Sequence, residues 1–319
     1  MTPKVLITHK LLPEAMDFLG SRVDAELCPE KDVLSGADII SRIRDKEGLL
    51  SLLTDEIGRE IIEAAPRLKV IANCAVGYNN IDLGAARSRG ILVTNTPGVL
   101  TETTAELTWA LILAVSRKIP QAHAFTRRGE FKGWKLNLFL GVDLQGKRLG
   151  IIGFGRIGRS VARRAAAFEM DVAYYDPHRL GPEEGGTYRV TYLPLDELLR
   201  TSDVVSIHTS LSEETRRLIS WEQIGLMKKG AILINVARGP IVDEEALAEA
   251  LENGRIWGAG LDVYEREPQI GARLLERDNV VLLPHIGSAT YETRLKMAMT
   301  AARNLVQGLR GERPDNLVV

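Results

Sequence analysis

An α/β chain with two doubly wound parallel sheets is the fold that these 319 residues predict, and three observations carry it. Short β-rich runs alternate with amphipathic stretches along the whole length, the pattern of βαβ units and open parallel sheets. The alternation is already present before residue 95, so the first stretch forms an α/β layer of its own. A second layer opens with a glycine-rich strand–turn–helix at residues 148–158. At roughly 150 residues per domain, the length suits two domains.

The elements follow in order. Val5 to Ile7, Gly48 to Leu53, Lys69 to Ala72 and Ile91 to Val93 are apolar runs of strand length, as expected for strands covered on both faces. Asp55 to Ala64 and Asp82 to Arg89 read as helices between them. Thr96-Pro97-Gly98 breaks the pattern. A long helix then runs to about Arg117. Thr103 and Glu106 have the spacing of a capping box, which puts its start at Thr103. Leu107, Trp109, Leu111, Leu113 and Val115 make it apolar over much of its surface, so it should be buried. Residues 129–147 read as a loop rich in Gly, Lys and aromatics. Strands are expected at Val204 to Ile207, Ala231 to Asn235, Ala259 to Asp262 and Val280 to Leu283, and a last helix at about Thr290 to Leu309. The chain is expected to cross between domains near Thr96–Leu100 and again near Gly287–Thr290. Residues 1–98 and 289–319 then form one discontinuous, flavodoxin-like domain, with residues 99–288 inserted in it as a Rossmann domain.

Bulk properties exclude several classes of function. Hydrophobic residues make up 45% and charged residues 26%, enough for a sizeable core. A net charge of -1 gives no footprint for nucleic acid. No apolar run approaches the roughly 20 residues of a membrane span, and the first residues read as a core strand. Two cysteines, Cys28 and Cys74, fit a reducing cytoplasm and no cysteine zinc site. The five histidines are scattered without ligand spacing, so no metal is expected.

The most informative stretch is Arg148-Leu-Gly-Ile-Ile-Gly153-Phe-Gly155-Arg156-Ile157-Gly158, then a helical run, then Val172-Ala-Tyr-Tyr175-Asp176. Gly153 permits a tight turn, Gly155 lets backbone approach a pyrophosphate, and Gly158 lets the helix pack close to the strand. The helix N-terminus then faces the phosphates. Asp176 lies 18 positions after Gly158 (176 − 158), where a carboxylate can accept from a ribose diol. Such a carboxylate bonds the free diol of NAD and repels the 2′-phosphate of NADP. Arg179 close by leaves NADP open as a second cofactor.

Three positions that follow predicted strands carry candidate chemistry: Arg238, Glu267 and His285. Reduction of a 2-keto acid needs a proton donor at the carbonyl oxygen, and an imidazole titrates in the right range. A carboxylate beside it would hold the ring and favour its charged form. The fixed fork of an arginine suits a carboxylate next to a polarised carbonyl.

Taken together, the motifs resemble those of the NAD(P)-dependent D-isomer-specific 2-hydroxyacid dehydrogenases over nearly the whole chain. They are Asn73 to Asp82, Thr94-Asn-Thr-Pro-Gly98, Gly150 to Gly158, Asn235-Val-Ala-Arg-Gly239, Gly260 to Val263 with Glu267-Pro268, and Pro284-His-Ile-Gly-Ser288. The resemblance implies that Arg238, Glu267 and His285 are the catalytic trio and that Val76 and Gly77 bind the substrate carboxylate through backbone N–H groups. It implies cofactor contacts at Thr104, Arg156, Ile157, Asp176, Val236, Ala237, Asp262 and Ser288. Gly98 to Trp109, Phe131-Lys-Gly-Trp134 and His285 to Tyr291 are most similar to the glyoxylate/hydroxypyruvate reductase branch. Asn79 departs from the family, standing where an acid is frequent. By resemblance, the enzyme is a homodimer whose Trp134–Leu140 loop reaches the partner subunit. The expected reaction is reduction of a small 2-keto acid by NAD(P)H. The alternatives are 3-phosphoglycerate oxidation, whose substrate needs extra basic groups for its phosphate and for which the C-terminal regulatory domain often found there is expected to be absent, and a corepressor-like NAD(H) sensor.

Overall fold

Apolar, β-branched runs with Gly, Pro or Asn at their ends become short strands buried on both faces. In the computed structural model, which describes residues 2–30, 34–181, 186 and 188–319, they form two all-parallel sheets. The chain divides into two units, one of Met1–Leu100 with Ser288–Val319, the other Thr101–Gly287.

In the first unit, β1 (Lys4–Ile7), β2 (Asp24–Leu27), β3 (Gly48–Ser51), β4 (Val70–Asn73) and β5 (Leu92–Thr94) pair in the order β2-β1-β3-β4-β5. One face is covered by helices Gly36–Ile43, Arg59–Glu63 and Leu83–Ser88 through Ile39, Ile43, Ile61, Ile62 and Ala86. Helices Pro13–Gly20 and Tyr291–Leu309 cover the other through Ala15, Leu19, Ala301, Ala302 and Leu305. The C-terminal tail runs antiparallel beside β5. Thr94 bridges Leu317, and the Val318 N–H donates to Val93 O at 2.7 Å.

In the second unit, β6 (Arg148–Ile152), β7 (Asp171–Tyr175), β8 (Thr191–Tyr192), β9 (Val204–Ile207), β10 (Ile232–Asn235), β11 (Gly258–Leu261) and β12 (Val280–Leu282) pair in the order β12-β11-β10-β9-β6-β7-β8. The order reverses between β6 and β9, and the crevice for a ligand lies beyond the carboxyl ends of the strands at such a point. Helices Thr101–Ser116 and Arg156–Ala165 pack on one face. Leu195–Thr201, Trp221–Leu226 and Glu244–Glu252 pack on the other.

Several elements differ from expectation. The long helix begins at Thr101, so Thr103 and Glu106 lie inside it and form no capping box. Glu106 faces Arg164 of the Arg156–Ala165 helix instead, at 3.6 Å. The helix expected from Asp55 starts only at Arg59. Ile57 is held extended by a bridge to Ile81, and its N–H donates to Asn80 O at 2.7 Å. Strand β2, with three of its four residues exposed, and the wholly unburied helix Ile119–Arg127 had no apolar run to announce them. No described helix is long and apolar enough to cross a membrane.

Candidate active site

The turn after β6 is shaped by what a side chain would strike. Gly153 has φ +89°, and a Cβ there would lie 2.5 Å from Thr209 N, two residues beyond β9. At Gly158 a Cβ would lie 2.3 Å from Gly153 O, so only glycine lets the helix start this close to the turn. Gly155 is different: a Cβ would meet no protein atom within 4 Å. The protein has no packing reason for glycine there, whereas a ligand lying on the backbone would supply one. Gly155 caps the Arg156–Ala165 helix without a side-chain hydrogen bond, so the cap itself leaves the first helical N–H groups open.

Asp176 closes this turn. Its Oδ2 accepts from the Phe154 N–H at 2.7 Å and its Oδ1 from the His178 N–H at 2.8 Å. Both oxygens keep lone pairs, so the pinned carboxylate can still accept from hydroxyls. The Arg179 guanidinium stacks on Tyr192, 3.8 Å from the ring centre. Next to the turn, His208 bonds Ser206 Oγ through Nε2 at 2.8 Å, while its Nδ1 is buried without a partner among the described residues. Burial pushes this imidazole down to about 3, so it stays neutral. An uncapped helix start, an empty position over Gly155 and a fixed carboxylate at the next strand end fit a dinucleotide.

The trio sits at the ends of β10, β11 and β12. His285 Nδ1 lies 2.7 Å from Glu267 Oε2. Glu267 Oε1 accepts the Tyr264 N–H at 3.0 Å. Burial alone would raise the Glu267 carboxyl. The hydrogen bond and charge of His285, the Tyr264 N–H and the charge of Arg238 outweigh it and hold the group below the ordinary glutamate value. An ionised carboxylate can only accept, so Nδ1 carries its proton and Nε2 is the ring position left for chemistry. Arg238 is largely enclosed, and burial lowers its guanidinium while the Glu267 charge opposes that. Its Nη1 donates to Ala237 O at 2.7 Å.

His285 itself is strained, with φ +54°. A non-glycine residue in this region costs about 1–3 kcal/mol and persists only where its surroundings over-determine it. They do so here. Asp262, fully buried, accepts the Ile286 and Gly287 N–H groups at 2.7 Å each, one per oxygen. Burial raises the Asp262 carboxyl against those two bonds and the charge of His285. Thr104 Oγ1 donates to Gly287 O at 3.1 Å, and the Tyr264 hydroxyl to Leu283 O at 2.8 Å. Thr104 and Asp262, expected as cofactor contacts, are ties of the His285 loop in the structure. Tyr264, which touches both the Glu267 side chain and that loop, was not anticipated. Nor was Asn235, which takes the Ala237 N–H at 3.0 Å and gives to Arg238 O at 3.0 Å, fixing the Val236–Arg238 turn. Its place at the last residue of β10, just before the arginine, was the available signal.

Val76, Gly77 and Ser288 belong to the first unit. Val76 and Gly77 follow β4 in a partly exposed loop whose carbonyls accept from Asn95 Nδ2 at 2.7 Å and Asn73 Nδ2 at 2.9 Å. Ser288 precedes the last helix, and its carbonyl accepts the Thr290 N–H at 2.9 Å.

Known proteins share the sequence and fold of this chain. The family model for the NAD binding domain of D-isomer specific 2-hydroxyacid dehydrogenases matches residues 109–287. A glyoxylate reductase of Thermococcus kodakarensis is 46% identical over 322 residues, covering 100% of this chain and 96% of its own. Among solved structures, the TT0316 protein of Thermus thermophilus superposes with a TM-score of 0.92 at 47% identity, over 99% of this chain and 100% of that one. An NADPH-dependent glyoxylate/hydroxypyruvate reductase of Sinorhizobium meliloti, solved with NADP and malonate, gives a TM-score of 0.89 at 32% identity, over 100% and 97% of the two chains.

Proposed function

The chain belongs to the D-isomer-specific 2-hydroxyacid dehydrogenases, and from that premise we propose that it reduces glyoxylate to glycolate, or hydroxypyruvate to the D-2-hydroxy acid, with NADH. The observation that carries the proposal is the His285–Glu267 pair at 2.7 Å, held on a strained and multiply tied loop at the end of β12. A loop is not fixed this firmly for packing alone when its central residue is half-buried and titratable.

When bound, the nicotinamide supplies the hydride. The protein's own residues do the rest. His285 Nε2 holds the proton delivered to the carbonyl oxygen as that oxygen gains charge. Glu267 keeps the tautomer and ring orientation and stays ionised. Arg238, directed by its enclosed fork, binds the substrate carboxylate and polarises the carbonyl. The product gains one C–H from the cofactor and one O–H from His285. Val76 and Gly77 N–H groups are assigned to the substrate carboxylate, and Gly153, Gly155, Arg156, Ile157, Gly158 and Asp176 to the pyrophosphate and adenosine ribose. Thr104, Val236, Ala237, Asp262 and Ser288 complete the cofactor contacts. The pinned Asp176 and the parked Arg179 favour NADH over NADPH.

Homodimerisation is part of the proposal. Residues 129–147 expose Trp134 and Leu136 at 79% each, on an arm that a partner subunit would cover. The two free cysteines, both buried, suit a cytoplasmic protein. The test is NADH consumption by purified protein with glyoxylate, hydroxypyruvate, pyruvate and phosphohydroxypyruvate. Turnover is expected with the first two, and none with any of the four refutes the reading. Light scattering gives the mass, for which a monomer would refute the dimer.

A further inference from the structure

Three consecutive carbonyls in the loop after β4 are tied. Ala75 O accepts the Thr96 N–H at 2.8 Å, Val76 O accepts Asn95 Nδ2 at 2.7 Å, and Gly77 O accepts Asn73 Nδ2 at 2.9 Å. A trans peptide is planar, with its C=O and N–H pointing in opposite directions. Each tie therefore turns the next residue's N–H the other way. Thr96 directs Val76 N–H, Asn95 directs Gly77 N–H, and Asn73 directs Tyr78 N–H. Among the described residues none of these three N–H groups has an acceptor. Successive N–H groups left without a protein acceptor are available to an anion.

The two asparagines are themselves held. Asn73 is fully buried at the end of β4. Its Nδ2 also reaches Asn80 Oδ1 at 3.1 Å, and its Oδ1 accepts from Ser51 at 3.2 Å. Asn80 in turn donates to Leu52 O and Asp55 O at 3.0 and 2.9 Å. Asn95 is fixed through its backbone: its carbonyl accepts from buried Asn304 at 3.1 Å, and its N–H donates to Asn316 O at 3.2 Å. The Asn73 amide is thus a committed donor with little freedom to turn over, and the Asn95 amide projects from a fixed backbone.

We propose that Asn95 and Asn73 are positioning residues for the substrate carboxylate, and that the receptor they build has a third donor, the Tyr78 N–H. The proposal rests on the assignment of Val76 and Gly77 to that carboxylate. It predicts a split between binding terms. Asn95→Ala frees the Val76 peptide. Asn95→Asp sets an oxygen against Val76 O and turns the peptide over, taking Gly77 N–H out of the receptor.

The test measures KM for glyoxylate, Kd for oxamate (an unreactive 2-keto acid analogue) on the enzyme–NADH complex, and Kd for NADH alone. Asn95→Ala should raise the first two about tenfold and Asn95→Asp about a hundredfold. NADH affinity should stay within twofold, which also certifies the fold. Val76→Pro deletes the N–H itself and should raise the same two constants. If Val76→Pro raises them and both Asn95 variants leave them within twofold, the positioning role is wrong and the carboxylate assignment stands. If Val76→Pro also leaves them unchanged, the assignment falls and the inference with it. Should Asn95→Asp lose NADH binding through misfolding, Asn95→Ala decides.

Discussion

Gly155→Ala separates folding from cofactor binding at the glycine turn. The added Cβ meets no protein atom within 4 Å, and the backbone there (φ −74°, ψ −159°) is open to any residue. Two small terms oppose each other. Alanine stiffens the unfolded chain and so stabilises by about 0.4–1 kcal/mol. Alanine is also a poorer helix cap than glycine by a similar amount. Stability without cofactor should therefore change by less than about 1 kcal/mol. NADH, in contrast, would meet the methyl where its pyrophosphate lies on the backbone. A loss of at least tenfold in affinity, about 1.4 kcal/mol, is expected. Gly158→Ala gives the opposite profile. Its Cβ would stand 2.3 Å from Gly153 O and 3.2 Å from an Ile151 methyl, so helix and strand must separate by about 1 Å to restore an ordinary C···O distance near 3.3 Å. Such overpacking costs about 1–3 kcal/mol in the apo protein. Urea midpoints without cofactor and fluorescence titration with NADH measure both quantities for both variants. If Gly155→Ala binds NADH within twofold of the unsubstituted protein, the open space over Gly155 is not the pyrophosphate position.

Other consequences can be checked separately. His285→Ala should cut kcat about a hundredfold or more with NADH affinity kept, and retained turnover would require another proton donor. Asp176→Ala should weaken NADH and narrow its advantage over NADPH. Unchanged NADH kinetics would remove Asp176 from the ribose site. The Glu267 carboxyl is held below its ordinary value, so its stabilising contribution is fully present above about pH 4.3 and is lost as pH falls through the lower folded value. Carboxyl NMR should find its midpoint below about 4.3, and a midpoint above that contradicts the pairing with His285.

The glycine turn was legible because its constraints are local. A positive φ, a close approach and an open position fall within six residues, and each demands glycine for a stated reason. Arg238, Glu267 and His285 were legible as residue types after strands. What ties them was not. The Asp262 carboxylate reaches N–H groups 24 and 25 positions away, and Tyr264 reaches a carbonyl 19 positions away. Linear spacing carries no signal of such distances. The asparagine ties of the 75–77 loop were hidden in the same way. Asn73 and Asn95 end neighbouring strands, and only sheet order brings them to one loop. Errors in element boundaries had local competitors. Thr103 and Glu106 have capping-box spacing inside a helix that had already begun. Strand β2 carries Asp24 and Glu26 where the apolar signal should be.

The outer strands of the five-stranded sheet also matter for how copies of this chain behave in a crowded solution. An unpaired strand edge is a template on which another chain can add itself. At one edge, β2 presents Asp24 and Glu26, charged side chains that suit solvent rather than an added strand. At the other, β5 has no such charges, and Leu317 to Val319 occupy its hydrogen-bonding edge in the antiparallel sense. The last three residues thus act as a stopper against aggregation. Their removal would bare that edge and shorten the time the protein stays dispersed on warming.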